Sequence, residues 1–321
     1  MSPLFLDLHQ IDPAALAREA ALGLLAQPAA VSPKFFYDAL GSRLFEAITA
    51  LDEYYLTRTE AAIFERHGAA IAAAVHARLG PRPVLVEPGA GSCRKAASLF
   101  GMLRPRRYVA LDISVDYLRE ALWALQPAHP ALALVGVGLD FSARLALPPE
   151  ALGTDVGPSL VFYPGSSIGN FAPAQALRLL REARALSQGG ALLIGVDRVK
   201  PAAVLNAAYD DALGVTAAFN LNLLRHLNRV LGSDFRPADW RHIAFFDVAA
   251  SRIEMHLEAR HATAVHWPGG ERHFMAGDRL LTEHAYKWTP EAFEALLHEA
   301  GYRDCQHWSD DAGGFSVMLA A

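Results

Sequence analysis

Val84-Leu85-Val86-Glu87-Pro88-Gly89-Ala90-Gly91-Ser92-Cys93-Arg94-Lys95 is the stretch that decides the fold. An apolar, β-branched run ends in an acid, turns through two glycines and leaves into a helix-like segment. A buried strand that delivers a tight glycine turn to a helix N-terminus makes a nucleotide site. In the dinucleotide fingerprint GxGxxG, the third glycine lets helix and strand pack closely and pyrophosphate sits on the helix N-terminus. Here the position three after Gly91 holds Arg94. Glu87, two before Gly89, gives instead an acid-x-Gly-x-Gly turn, in which backbone approaches a cofactor carrying no phosphate there. A tight β–α turn with no ligand is the plain alternative.

Downstream, strand and helix alternate, the pattern of a parallel sheet covered on both faces. Strands are expected at 84–87, 108–112, 132–137, 160–162 and 191–196, with helices near 95–103, 115–125 and 173–186. From Pro201 to about Lys287 the alternation stops. A helix pair (202–213 and 216–231) precedes strands expected at 242–248, 252–264 and 272–276, whose alternating polar residues suggest an antiparallel sheet with one wet face. A helix then runs from Thr289-Pro290-Glu291 to Ala300, and 302–309 and 315–319 close the chain as two strands, reversed through the turn at 310–314. Upstream, Asp12-Pro13 opens a capped helix, Pro33 to Asp38 is dense in aromatics, 42–51 reads as helix, and Thr59-Glu60 opens another that Pro81 and Pro83 end. Five parallel β/α units, a last helix and a terminal strand pair predict a seven-stranded, Rossmann-like α/β sheet. That layout resembles the class I S-adenosylmethionine methyltransferases, with an α+β domain inserted.

Composition excludes several classes. The formal net charge is −5 with no basic tract, so nucleic acid is not an expected partner. Cys93 and Cys305 are the only cysteines, too few for a disulfide framework or a cysteine-based zinc site. None of the 13 histidines falls in an HExxH-like pair, and His256, His261 and His266 read as surface or half-buried polar positions. No segment reaches the roughly 18–20 apolar residues of a membrane span. An early Asp7, and Arg18-Glu19 within the Ala/Leu run, do not fit a secretory leader. The expectation is a cytoplasmic protein with no metal.

Asp112 ends the second strand, about twenty residues beyond the glycines. A carboxylate there accepts hydrogen bonds from ribose hydroxyls, which adenosylmethionine and NAD both carry; a helix-capping aspartate is the alternative. Asp140-Phe141 follows the third strand and offers an acceptor for an adenine amino group and an apolar cover for its ring, or simply a turn aspartate beside a buried phenylalanine. Lys95 is either solvated or reaches a cofactor carboxylate. The fourth strand ends in Tyr163-Pro164-Gly165-Ser166-Ser167-Ile168-Gly169-Asn170. Carboxyl ends of central strands face the ligand crevice, which puts Asn170 and the Gly165 carbonyl beside a transferable group, unless Asn170 is a helix cap in a glycine-rich connector.

The chain resembles the bacterial histidine Nα-methyltransferases of ergothioneine biosynthesis, which form hercynine. The resemblance covers almost its whole length: Phe36-Tyr37-Asp38, Glu53-Tyr54-Tyr55, the glycine turn, Gly165 to Asn170, Ala207 to Asp211, Thr216 to Asn220, Ile253-Glu254-Met255, and Thr282 to Lys287. It implies S-adenosyl-L-methionine as methyl donor, held by Gly89, Gly91, Lys95, Asp112, Asp140 and Phe141. It implies that Tyr54, Asn170 and Tyr209 hold the amino acid's amino and carboxylate groups, with Gly165 and Met255 beside them. Tyr37 lies near the amine, and Asn170 and Tyr37 are the catalytic candidates. Glu283 accepts a hydrogen bond from the imidazole. The family commonly carries Glu-x-Ser at this corner, where this chain has Glu283-His284-Ala285. Losing that hydrogen bond costs on the order of 1 kcal/mol; a water, or His284, is the expected replacement, or the pocket takes another side chain.

The implied division places a substrate-binding domain at 1–60 and 197–287 and the methyltransferase domain at 61–196 and 288–321. The reaction expected is in-line displacement on a sulfonium methyl by a neutral amine, up to three times, driven mainly by positioning. Tyr37, Tyr54, Tyr55 and Phe219 offer aromatic faces to the resulting quaternary ammonium. The partner is a small-molecule amino acid, with no nucleic acid or membrane, and the chain is expected to be a monomer. Two alternatives share these features: an N-methyltransferase for another amino acid or imidazole-containing amine, and an NAD-dependent oxidoreductase. A non-catalytic metabolite-binding protein is a third, disfavoured by Asp112, Asn170 and Tyr209.

Overall fold

The computed structural model describes residues 2–8, 12–153 and 157–321. Within them Val84–Pro88 is a strand whose five residues are all buried. Strands Arg107–Asp112, Ala133–Gly138, Ser159–Tyr163 and Ala191–Asp197 are buried almost throughout, as parallel strands covered on both faces must be. Chain contacts divide the protein into two compact units. The first comprises Met1–His9, Leu56–Val199 and Lys287–Ala321; the second comprises Gln10–Tyr55 and Lys200–Tyr286.

The first unit is built on one sheet of eight strands. Their order is Leu4–Asp7, Ala133–Gly138, Arg107–Asp112, Val84–Pro88, Ser159–Tyr163, Ala191–Asp197, Phe315–Ala320 and Cys305–Ser309. Phe315–Ala320 runs antiparallel to Ala191–Asp197 and to Cys305–Ser309, which makes the reversed closing pair. The turn before it is fixed by Asp310, whose Oδ1 accepts the Phe315 amide at 2.7 Å. Seven of these strands match the expected layout, and Leu4–Asp7 adds an eighth at the edge by parallel pairing with Ala133–Gly138. That pairing corrects the expected boundary, because the N-terminal strand belongs to this sheet and not to the inserted unit. The helix Tyr55–Leu79 also starts before the expected boundary at 60 and lies almost wholly in the first unit.

The second unit contains helices Pro13–Leu25, Ala39–Ile48, Ala202–Tyr209 and Val215–Leu231, a three-stranded antiparallel sheet and a separate hairpin. Asp12 caps the first helix through the Ala14 amide, and Asp38 caps the second through Gly41. The sheet order is Arg279–Tyr286, Arg252–Ala259, Trp240–Asp247. Three sequence expectations are corrected here. The helix foreseen to Leu213 ends at Tyr209, because the Asp211 carboxylate takes the Val215 and Thr216 amides (3.0 and 2.7 Å) and so starts the next helix. The strand foreseen over 252–264 is two, Arg252–Ala259 and Thr263–Trp267, the second pairing only with Gly270–Phe274. Arg279–Tyr286 was not foreseen as a strand. It carries a register shift between Leu281 and Glu283 that blurs its alternation.

Candidate active site

The glycine turn takes the conformation its residues predict. Gly89 and Gly91 have φ of +70° and +52°, a region that favours glycine. A Cβ on Gly89 would also lie 3.4 Å from the Phe141 ring, so the turn and the residue after the third strand meet. Beside Gly91 a Cβ would meet nothing within 4 Å. Asp112 fastens the turn: Oδ2 accepts the Gly91 amide and Oδ1 the Ser114 amide, both at 2.8 Å. The Asp112 carboxylate therefore orders the loop and opens the following helix, and burial raises its pKa against the pull of those amides. Glu87 is turned away from solvent, 1% exposed, and accepts a short hydrogen bond from the Tyr108 hydroxyl. Burial pushes its pKa up to about 8.

Lys95 is ion-paired and half-buried, its side chain 34% exposed. Its Nζ lies 2.7 Å from Glu60 Oε2, and Glu60 Oε1 accepts the Gly165 amide at 2.7 Å. Gly165 has φ +77°, and a Cβ there would fall 2.7 Å from Lys95 Nζ. The same turn is tied to the next strand, because the Ser166 hydroxyl accepts the Asp197 amide at 2.9 Å. Asn170 closes the short 3-10 turn Ser167–Asn170 and is half-buried. Asp140 makes a local turn, its Oδ1 accepting from the Ser142 amide at 3.1 Å and from the Ser142 hydroxyl. Thus Gly89, Gly91, Asp112 and Phe141 converge, as do Lys95 and Gly165. Glu60, which links that second pair, was read in the sequence only as a helix opener.

In the second unit the rings of Tyr37, Phe45, Tyr54, Tyr209 and Phe219 form one cluster. Centroid distances are 5.9 Å for Tyr37–Phe45, 6.0 Å for Tyr37–Phe219, 6.3 Å for Phe45–Tyr54 and 6.3 Å for Tyr54–Tyr209. Phe45 is central to it and was missed in the sequence. Tyr55 does not join: Lys200 Nζ donates to its hydroxyl at 2.8 Å and sits 4.3 Å from its ring centre. The antiparallel sheet sorts the remaining candidates. Glu283 pairs with Met255, and Ala285 with Ile253, so these four share one face, and all are buried. His242 pairs with Leu257 on that face and has Nε2 2.8 Å from the Tyr209 carbonyl, which places the Tyr209 helix over it.

His284 pairs with Glu254 and points to the opposite face, which corrects the expectation that it stands in for the missing serine. There its Nε2 lies 3.6 Å from Glu254 Oε1. Glu254 also receives Arg252 Nε at 2.9 Å and contacts His256 Nε2 at 2.9 Å. Burial, then the Arg252 charge, lower the pKa of His284. This polar face is the wet one.

Among the described residues one group, Glu294, His298 and Cys305 in the first unit, brings possible metal-ligand atoms within 4.8 Å of one another.

A parallel sheet with a reversed closing strand, a glycine turn at the carboxyl end of its first core strand and an ordered carboxylate after the second define a class I methyltransferase. The chain belongs to the family described as histidine-specific methyltransferase, SAM-dependent, whose model matches residues 16–321. Histidine N-alpha-methyltransferase of Mycolicibacterium smegmatis is 42% identical over 313 residues, covering 95% of this chain and 94% of that one. Its counterpart from Mycobacterium tuberculosis is 38% identical over 314 residues, with 96% and 95% covered. Ergothioneine biosynthesis protein 1 of Neurospora crassa is 30% identical over 283 residues, 85% of this chain and 31% of its own length. Family membership removes the NAD-dependent oxidoreductase alternative.

Proposed function

We infer that the chain transfers methyl groups from S-adenosyl-L-methionine to the α-amino nitrogen of L-histidine, up to the trimethylated betaine hercynine. Family membership supports the reaction class and substrate, and the observation that carries it into this structure is the aromatic cluster of the second unit. Faces of Tyr37, Tyr54, Tyr209 and Phe219 suit an amine that becomes a permanent cation and loses its hydrogen-bond donors. The first unit is read as the methyltransferase domain and the second as the substrate-binding domain.

The donor supplies an electrophilic methyl on a sulfonium. Gly89 and Gly91 let it approach the backbone, Asp112 takes its ribose hydroxyls, Asp140 and Phe141 hold the adenine, and Lys95 takes the methionine carboxylate. Asn170 and the Gly165 carbonyl accept hydrogen bonds from the amine and aim its lone pair along the line of displacement. Tyr54 and Tyr209 hold the substrate carboxylate. Glu283 accepts from the imidazole, with Met255 and Ala285 against the ring. Each transfer forms one C–N bond, breaks one C–S bond and releases neutral S-adenosylhomocysteine. The proton displaced from nitrogen leaves to water by way of Tyr37.

The reading requires no metal, and takes the chain as a cytoplasmic monomer without nucleic acid or membrane partners. No described helix is long and apolar enough to cross a membrane. The test is incubation with S-adenosylmethionine and a panel of amino acids and imidazole amines, followed by mass spectrometry. Gains of one, two and three methyl groups on histidine alone are expected. Turnover of a different amine only, for which Ala285 gives a reason, would overturn the substrate and leave the class standing.

A further inference from the structure

Glu60 is the one carboxylate among the buried side chains of the helix Tyr55–Leu79, which otherwise presents Leu56, Ile63, Ile71, Ala72 and Val75 inward. It is 2% exposed. A carboxylate so placed is costly unless its oxygens are bonded. Both are: one faces Lys95 Nζ and the other the Gly165 amide, each at 2.7 Å. The neighbouring strand leaves room for it, since a Cβ on Gly195 would fall 2.0 Å from Glu60 Oε1. Three segments remote in sequence meet on this one group: a helix, the start of the helix after the glycine turn, and the turn after the fourth core strand.

We propose that Glu60 is a positioning residue with two separable tasks. One oxygen fixes the Lys95 ammonium where the donor's methionine carboxylate binds, and the other fixes the Gly165 peptide in the turn that faces the amine. The proposal rests on the functional reading above, which assigns Lys95 to the donor and Gly165 to the amine. Glu60 touches neither substrate; it sets the geometry of two groups that do. Because the tasks lie on different oxygens, substitutions divide them. Glu60→Gln retains an oxygen for the Gly165 amide and removes the charge that holds Lys95. Glu60→Ala removes both.

The test measures S-adenosylhomocysteine binding by calorimetry and histidine turnover at saturating donor, in the full chain. Glu60→Gln is expected to weaken S-adenosylhomocysteine by about tenfold or more, leaving the histidine KM within about twofold of wild type. Glu60→Ala is expected to lose, in addition, about tenfold in kcat for the first methyl transfer. Lys95→Met should weaken the same ligand comparably, and the Glu60→Gln/Lys95→Met double variant should be no weaker than Lys95→Met alone, since both act through one contact. Wild-type affinity in Glu60→Gln, or full additivity with Lys95→Met, would overturn the proposal. So would equal losses in donor affinity and histidine KM, the mark of a generally loosened fold. Failure of the wild-type chain to bind S-adenosylhomocysteine would sink the functional reading itself and this role with it.

Discussion

Glu87 sits under the glycine turn as a neutral acid, and that gives the fold a pH-dependent weakness of calculable size. Burial lifts its pKa from 4.5 to about 8, against the opposing effects of the Tyr108 hydroxyl and the Lys95 charge. Below the unfolded value the carboxyl is protonated in folded and unfolded chain alike and contributes no pH dependence. Between that value and the folded one, the unfolded chain releases the proton and the folded chain keeps it, so stability falls as pH rises. Above the folded pKa the loss is complete. At 1.36 kcal/mol per pH unit, the three units between 4.5 and an assay pH of 7.5 amount to about 4 kcal/mol as a ceiling.

Glu87→Gln keeps the shape and an acceptor for Tyr108 and cannot ionise. Urea unfolding of the two proteins at intervals from about pH 4.5 to 8 cancels every titration they share. The variant should match wild type at the acid end and exceed it by roughly 2–4 kcal/mol at pH 7.5, a large share of the 5–15 kcal/mol typical of a domain. Parallel curves, or a wild type that gains on the variant as pH rises, would refute the reasoning.

Three further outcomes are expected. Asp197 and Lys287 form a buried pair at 2.9 Å, 0% and 1% exposed, so Lys287→Met alone should cost about 3–5 kcal/mol by denaturant unfolding. Adding Asp197→Asn should recover part of that, and a double variant worse than the single would argue against the pair. Asn170→Ala should slow the first methyl transfer by about tenfold or more and the third far less, because the amine has lost its donors by then; stepwise mass analysis showing equal loss in all three steps would count against this. Ala285→Ser should lower the histidine KM by up to about fivefold, the worth of one hydrogen bond of about 1 kcal/mol, whereas an unchanged KM would mean that the hydroxyl does not reach the ring.

The sheet was legible in the sequence because its signals are local. A parallel strand buried on both faces is a continuous apolar run, and the glycines at 89 and 91 mark a backbone that other residues rarely adopt. Glu60 was not legible. Its partners lie 35 and 105 residues away, and on a helix its charge reads as an ordinary exposed position. Phe45 was hidden for a similar reason: it joins the aromatic cluster only when its helix packs against Phe219 and Tyr54. Glu87 was legible in place but not in state. Its spacing to the glycines marked the type of turn, and only the Tyr108 hydroxyl across the strands shows where its carboxyl points.

The corner proposed to hold the imidazole shows how a linear motif misleads when its secondary structure is left out. Glu283-His284-Ala285 reads as three adjacent candidates, so the histidine looks available to replace a missing hydroxyl. On a strand, neighbours alternate faces, and the register puts Glu283 and Ala285 with Met255 and Ile253 while His284 goes with Glu254. The middle position is therefore free to serve the wet face, where His284 joins the Glu254, Arg252 and His256 network. Of the two residues that follow it, only Ala285 shares the face of Glu283. On the proposed function, a change in substrate at this corner follows from the missing hydroxyl and the space it leaves, not from the imidazole next to it.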